Sequence, residues 1–155
     1  MVHGRRWLCS GLSALIVAAL HPRSARAQGE ENREILQRYA DAWSRGDLPG
    51  IVASYHADFT LHYFGRHPLA GDHVGKAAAL KTLAEVSRRT NRKLVEIVAV
   101  MSGPERSALV VREAFERDGV RATLERVLVF TTKDGRLHEC WVYDADQAAV
   151  DQFLR

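Results

Sequence analysis

The sequence predicts an α+β fold: a cone-shaped, curved antiparallel sheet packed against three N-terminal helices, followed by a short C-terminal helix. Two observations predict it. Between residues 32 and 90, apolar residues recur at helical spacing around one stretch of alternating character. Between residues 93 and 143, four segments of about eight to twelve residues are rich in β-branched and aromatic types and are separated by turn sequences. Helices laid across the concave side of a bent sheet leave a hollow, so this architecture predicts a pocket.

Residues 1–27 are predicted to be a secretory signal peptide, and residues 28–155 to form one domain. The chain begins with the basic segment MVHGRRW, continues with an uncharged run of 13 residues, LCSGLSALIVAAL, and reaches the small-x-small pattern Ala25-Arg26-Ala27 that signal peptidase recognises. A membrane-spanning helix needs about 20 apolar residues, so the run is too short to be one. We therefore expect an exported protein, periplasmic or extracellular, with no membrane span after cleavage.

Other interpretations of the leader stay open. The adjacent Arg5 and Arg6 make the twin-arginine route an alternative to the general secretory route. A misassigned start codon or an uncleaved anchor would also explain the same residues.

The charge and cysteine content of the predicted mature chain argue against a nucleic-acid-binding protein and against a domain held together by disulfides. The leader carries four of the 22 basic side chains and none of the 19 acidic ones, which leaves 18 basic against 19 acidic. A net charge of about −1 does not favour nucleic acid as a partner. Cys140 is the one cysteine after the leader, so no internal disulfide can form and the domain must rely on its hydrophobic core.

The first half of the domain is predicted to be mainly helical. A first helix begins near Asn32 and ends at Gly46, with an apolar stripe that includes Tyr39, and Asp47 caps a short second helix. A third helix is predicted from about His73 to Thr90, capped by Asp72, in a segment rich in alanine and leucine.

Strands make up the rest. The segment 58–64 alternates, with Phe59, Leu61 and Tyr63 on one face and Thr60 and His62 on the other. The four later strand segments, KLVEIVAVMS, SALVVREAFER, VRATLERVLVFTT and RLHECWVY, predict an antiparallel meander, and DQAAVDQFLR predicts a final helix.

His62 is the first candidate for catalysis. A histidine with a pKa near 6.5 can take up and return a proton at neutral pH, which suits enolisation, cyclisation or dehydration. The alternative is a histidine that only hydrogen-bonds. The loop after the strand adds His67 as a candidate ligand-binding residue. The histidine spacing matches no zinc signature and no glycine-rich phosphate loop is present, so we expect neither a metal nor a nucleotide cofactor.

Three segments resemble the SnoaL-like, ketosteroid-isomerase-like branch of the nuclear-transport-factor-two-like superfamily. They are RYADAWSRGDL at 38–48, FGRHPLAGDHVG at 64–75 and DGRLHECWVYDADQ at 134–147, and the resemblance covers residues 31–154. Steroid isomerases of this superfamily hold an enolate oxygen with a tyrosine and a protonated aspartate, while another aspartate moves the proton.

The resemblance implies roles for individual residues. It places the oxyanion-donating tyrosine at Tyr39, the base at His62 or Tyr63, and the protonated aspartate at Arg126. The place of Tyr39 in the apolar stripe of the first helix is also that of a core residue, which is the alternative interpretation. Two of these three positions depart from the pattern, so steroid isomerisation is not expected. Arg126 is instead a candidate to clamp a carboxylate or phenolate.

The resemblance also implies that one face of the last strand lines the cavity. That face carries Glu139, Trp141 and Tyr143. Glu139 is then either an acid/base group opposite His62 or the partner of Arg126 in a cross-strand ion pair. Tyr63, Arg126, Trp141, Tyr143 and His67 are the predicted ligand-binding residues.

These observations lead to one functional hypothesis and an alternative. The first is an exported, cofactor-free domain that binds a small apolar or aromatic molecule with one polar end and, if it is an enzyme, acts as an isomerase, cyclase or dehydratase. The alternative is a non-catalytic ligand-binding or dimerisation protein of the cell envelope. Both predict a homodimer formed through the outer sheet face.

Overall fold

The computed structural model describes residues 24–155 and contains, within them, four helices and six strands. In chain order these are α1 Ala25–Ser44, α2 Leu48–Ser54, β1 Tyr55–Tyr63, β2 Gly71–His73, α3 Lys76–Thr90, β3 Lys93–Ser102, β4 Ser107–Arg117, β5 Val120–Lys133, β6 Arg136–Asp144 and α4 Gln147–Phe153. Most of the predicted signal peptide lies outside the described residues, and Ala25 to Ala27 form the start of α1.

The strands form one six-stranded sheet in the order β2-β1-β6-β5-β4-β3. The meander from β3 to β6 is antiparallel, which confirms that part of the prediction. The sheet as a whole is mixed, because β1 adds to the edge of β6 in parallel. A parallel neighbour requires a long connection, and the chain from α3 to β5 supplies it.

The connection between β1 and α3 contains a short strand that was not predicted from the sequence. Residues 71–73 pair with the end of β1 as the short strand β2, with His62 opposite Asp72. Asp72 is therefore a strand residue and not the cap of α3, which begins at Lys76 after Gly75.

Register shifts bend the sheet. They occur twice between β3 and β4, once between β5 and β6, and once between β1 and β6. Irregularities of this kind increase local twist and curvature. The concave face is covered by α1, which contacts β3, and by α3, which contacts β1. This is the predicted α+β architecture of a curved sheet roofed by the N-terminal helices.

The turn between α1 and α2 is built as the sequence predicted. Gly46 has a positive φ of 66°, a conformation that favours glycine. The side chain of Asp47 then accepts a hydrogen bond from the backbone N–H of Gly50 at 3.0 Å. This cap fixes the start of α2, which contacts α1 and β1.

Helix α4 packs against β4 and β6 and holds the loop after β1. The carboxylate of Asp151 accepts a hydrogen bond from the backbone N–H of Arg66 at 2.9 Å. A Cβ at Gly65, whose φ is 132°, would come within 2.5 Å of that carboxylate. Close approach of the loop to α4 therefore requires glycine at this position.

In the part of the chain from residue 24 onward, none of the helices combines the length and the apolar character that crossing a membrane requires.

Candidate functional site

A cavity of about 670 Å³ lies between the concave face of the sheet and the helices α1, α2 and α3. Its walls are mainly apolar and aromatic, and the exposed lining residues at its mouth include Arg45, Leu48, Ala84 and Lys93. The strands contribute Phe59, Leu61, Leu128, Cys140 and Val142. The volume is in the range of small-molecule sites in proteins.

Arg126 is the centre of a buried charge network at one side of the cavity. Its Nη1 donates to Oε2 of Glu113 at 2.8 Å, its Nη2 donates to the hydroxyl of Tyr63 at 2.8 Å, and its Nε donates to Oδ1 of Asp144. Burial alone would lower the pKa of Arg126, but Tyr63, Glu113 and Asp144 together raise it well above its ordinary value. The guanidinium is therefore permanently charged.

The carboxylate of Glu113 is only half satisfied. The side chain is 1% exposed and lines the cavity. Oε2 accepts from Arg126, whereas Oε1 has no hydrogen-bond partner among the described residues. The Nε of Arg92 lies 3.4 Å from Oε1, close enough for an ion pair. A buried oxygen without a hydrogen-bond donor is uncommon in proteins and calls for a physical explanation.

Two tyrosines that line the cavity are hydrogen-bonded to each other. The hydroxyls of Tyr39 and Tyr55 lie 2.9 Å apart and form a hydrogen bond. Burial raises the pKa of Tyr39 well above its ordinary value, and burial likewise raises the pKa of Tyr55. Both are therefore neutral phenols at physiological pH. One hydroxyl hydrogen is used between them, and the other is free to be donated.

Comparison with protein-family models shows to which family the chain belongs. Residues 36–140 match the model of the SnoaL-like domain. The chain belongs to the SnoaL-like domain family. Its fold is that of the nuclear-transport-factor-two-like superfamily, which confirms the predicted resemblance. A search of curated proteins found no match to the sequence.

Solved structures share this fold over most of the chain. Bal32a, from a soil-derived mobile gene cassette, is 27% identical with a TM-score of 0.74, and the match covers 83% of this chain and 99% of that one. An NTF2-like protein from Burkholderia xenovorans LB400 is 23% identical with a TM-score of 0.68, covering 82% and 98%. TerC, co-crystallised with polyporic acid, is 20% identical with a TM-score of 0.68, covering 80% and 98%.

Three of the predicted site residues line the cavity of this SnoaL-like domain: Tyr39, Tyr63 and Arg126. Arg126 was expected to clamp an anionic ligand, and the structure gives it other partners: its guanidinium donates four of its five N–H bonds to Asp144, Glu113 and Tyr63. Its partners are Glu113 and Asp144, and the expected ion pair with Glu139 is absent.

The prediction that His62 and Glu139 project into the cavity is wrong. Both belong to the outer face of the sheet, where Nε2 of His62 lies 3.7 Å from Oε1 of Glu139 and Nδ1 lies 2.8 Å from Oδ1 of Asp72. The reason is the alternation along β1. Leu61 and Tyr63, at 1% and 3% exposure, point inward, so His62 between them points outward.

Trp141 and Tyr143 also lie outside the SnoaL-like cavity, contrary to expectation. Strand β6 pairs in parallel with β1 so that Leu61 is opposite Cys140, and Cys140 with Val142 lines the cavity. Trp141 instead stacks on the ring of His62, with 4.7 Å between centroids and an interplanar angle of 8°. Tyr143 packs against Phe64 and is 46% exposed.

His67 supports the site from behind and does not line it. Its Nε2 is 3.2 Å from the carbonyl oxygen of Phe64, and its Nδ1 accepts from the backbone N–H of Leu69. The ring packs edge-on against Tyr63 at 4.9 Å. Burial lowers the pKa of His67, since desolvation disfavours the charged imidazolium. Its role is to hold Tyr63 and the loop in place.

Four residues were not predicted from the sequence as site residues: Tyr55, Arg92 and Glu113, which line the cavity, and Asp144, which pairs with Arg126. One signal was available for Glu113. Along β4 it alternates with Val111 and Phe115, both fully buried, so a charged residue occupies a position on the core face. A buried charge at such a position requires a partner, and the neighbouring strand supplies Arg126.

Within residues 24–155, no group of three or more histidine, cysteine, aspartate or glutamate side chains is placed to hold a metal ion.

Proposed function

We propose that this SnoaL-like domain binds a small apolar or aromatic ligand with one polar end. The single observation that carries the proposal is the shape and polarity of the cavity of about 670 Å³. Its apolar walls suit the body of such a ligand. The Tyr39–Tyr55 pair and the Glu113–Arg126 pair then fix the orientation of the polar end.

One structural neighbour supports this proposal. TerC, which shares the fold at 20% identity, was co-crystallised with polyporic acid. The likeness extends to the fold alone, so it supports small-molecule binding without indicating which ligand this chain takes.

A second candidate function is proton-transfer catalysis. The observation that favours it is the hydrogen-bonded pair of neutral phenols, since a buried phenol that donates to a carbonyl stabilises an enolate as it forms. The enzyme would be a cofactor-free isomerase, cyclase or dehydratase, with Tyr39 as the oxyanion donor and a base that lies in the cavity. Turnover of enolisable ketones that Tyr39→Phe abolishes would distinguish it from a non-catalytic binding protein of the cell envelope.

We further infer that the domain is exported and forms a homodimer through the outer face of the sheet. Export rests on the leader described above. The homodimer rests on the exposed aromatic pair Phe64 and Tyr143, at 42% and 46% exposure, which lies on the outer side beside Trp141. Aromatic side chains are enriched in the buried parts of protein interfaces.

The test of ligand binding uses the neutral fluorescent probe N-phenyl-1-naphthylamine. Ala84 is an exposed α3 residue at the cavity mouth, so Ala84→Trp is expected to block entry and to lower the affinity of the probe by about 10-fold or more. Ala78→Trp is the matched control, because Ala78 is exposed on the same helix but does not line the cavity. Equal affinities for the two variants would contradict binding in this cavity.

A further inference from the structure

We propose that Oε1 of Glu113 accepts a hydrogen bond from a hydroxyl group of the ligand. The buried end of the ligand is then a neutral alcohol, phenol or enol and not a carboxylate or a bare carbonyl. This inference rests on the proposed function, because it names the chemical class of the ligand that the cavity holds.

Oε1 of Glu113 is buried in the wall of the cavity. The side chain of Glu113 is 1% exposed, and its Oε2 is fixed toward Arg126 by a hydrogen bond of 2.8 Å. Oε1 is the remaining oxygen of a residue that lines the cavity, and it has no hydrogen-bond partner within residues 24–155. A ligand whose polar end packs against this oxygen leaves it unsatisfied unless the ligand brings a donor of its own.

The charges around the site are balanced. Two arginines, Arg92 and Arg126, face two carboxylates, Glu113 and Asp144. The positive and negative charges are therefore equal before any ligand enters. A ligand carboxylate would add a buried negative charge without a partner, which is costly in a desolvated site.

Phenol donors line the same cavity as Glu113. The Tyr39–Tyr55 pair leaves one hydroxyl hydrogen free, and the hydroxyl of Tyr63, which accepts from Arg126, has its own hydrogen available. A ligand group that meets both kinds of partner must accept from a phenol and donate to a carboxylate. A hydroxyl does both, whereas a carbonyl or an ether only accepts and leaves Glu113 unsatisfied.

The test compares three probes of matched size on the purified wild-type protein: 2-naphthol, 2-methoxynaphthalene and 2-naphthoate. Each is measured at pH 7 by displacement of N-phenyl-1-naphthylamine. Since only 2-naphthol is a neutral donor, we expect it to bind about 10-fold more tightly than 2-methoxynaphthalene, with 2-naphthoate the weakest. This comparison involves no substitution and so does not depend on a variant that folds.

The variant Glu113→Gln tests whether Glu113 causes the preference for 2-naphthol. In Glu113→Gln, the amide oxygen accepts the hydrogen bond from Arg126, and the NH₂ group occupies the position of Oε1. Because an NH₂ group cannot accept a hydrogen bond from the ligand hydroxyl, the preference for 2-naphthol over 2-methoxynaphthalene is expected to disappear. Glu125→Gln is the control, because Glu125 is an exposed ion-pair partner of Arg112 that does not line the cavity. Circular dichroism and probe affinity confirm that each variant is folded.

The outcomes separate the inference from the proposed function. A preference for 2-naphthol that Glu125→Gln keeps and Glu113→Gln loses supports the inference. Displacement by all three probes with equal affinity, or tighter binding of 2-naphthoate, overturns it and leaves small-molecule binding intact. Failure of the wild-type protein to bind N-phenyl-1-naphthylamine or any of the three probes overturns both.

Discussion

The two faces of the sheet carry similar residue types in different surroundings. On the concave face, Arg126, Glu113 and Tyr63 form a network whose side chains are almost fully buried. On the outer face, a cluster of His62, Asp72, Glu139, Trp141 and Arg106 combines the same kinds of groups within reach of solvent. Asp72, for example, is 70% exposed at its side chain.

The difference in burial changes the free energy of the interactions that each cluster makes. Water screens charges on the outer face, so interactions there contribute little free energy. Inside the cavity the effective dielectric is lower, and each unmatched donor or acceptor carries a larger cost. We therefore expect the inner network to discriminate between ligands more strongly than the outer cluster does.

The largest expected effect comes from removing the central arginine of the inner network. Arg126→Met leaves the carboxylates of Glu113 and Asp144 buried without their cation, and we expect a loss of about 3–5 kcal/mol in the free energy of unfolding. Arg112→Met on the outer face, which removes exposed pairs with Glu96 and Glu125, should cost about 1 kcal/mol or less. Urea unfolding of both variants measures the contrast, and equal losses would show that burial does not separate the two faces.

A smaller effect is expected at the phenols. Tyr39→Phe removes the hydrogen bond to the hydroxyl of Tyr55 and should lower the free energy of unfolding by about 1 kcal/mol. Tyr143→Phe on the outer face is the matched control and should change it by less than about 0.5 kcal/mol. Thermal unfolding measures both, and an unchanged Tm for Tyr39→Phe would contradict a buried hydrogen bond at this position.

Burial of His67 is expected to make the free energy of unfolding depend on pH. Burial lowers the pKa of His67 in the folded state below its value near 6.5 in the unfolded chain, so the unfolded state binds more protons as the pH falls. His67 therefore contributes a stability that is present above pH 6.5 and is lost as the pH falls below 6.5 and through the lower pKa of the folded state. Urea unfolding between pH 7.5 and 5 should show a shallower decline for His67→Gln than for wild type. Parallel profiles would mean that His67 is not desolvated.

The smallest expected effect is on the outer face. His62→Ala should leave the affinity for N-phenyl-1-naphthylamine within about twofold of wild type, because the imidazole is separated from the cavity by the sheet. Fluorescence titration measures it. A loss of more than 10-fold would return His62 to the binding site and contradict the separation of the two faces.

The fold was predictable because each element carries its own local signal. Alternation at 58–64, the four strand segments and the glycine–aspartate turn at 46–47 all appear in the structure. The short strand β2 was not predictable, since residues 71–73 have no alternation and pair only because β1 offers an edge.

The site was harder to predict because alternation indicates which residues share a face but not which face is buried. His62 was correctly placed opposite Leu61 and Tyr63, yet the apolar set is the one that faces the cavity. Strands β4 and β5 supply polar side chains to the cavity, where Arg126 donates a hydrogen bond to Glu113 on the neighbouring strand. That contact depends on tertiary register, which no single segment of sequence contains.

The most direct test of the central claim is a crystal structure of the protein with 2-naphthol bound. We expect the naphthol between α3 and the concave face of the sheet, with its hydroxyl within hydrogen-bond distance of Oε1 of Glu113. Density for the naphthol on the outer face beside His62 and Trp141, with the cavity filled by protein side chains, would contradict it.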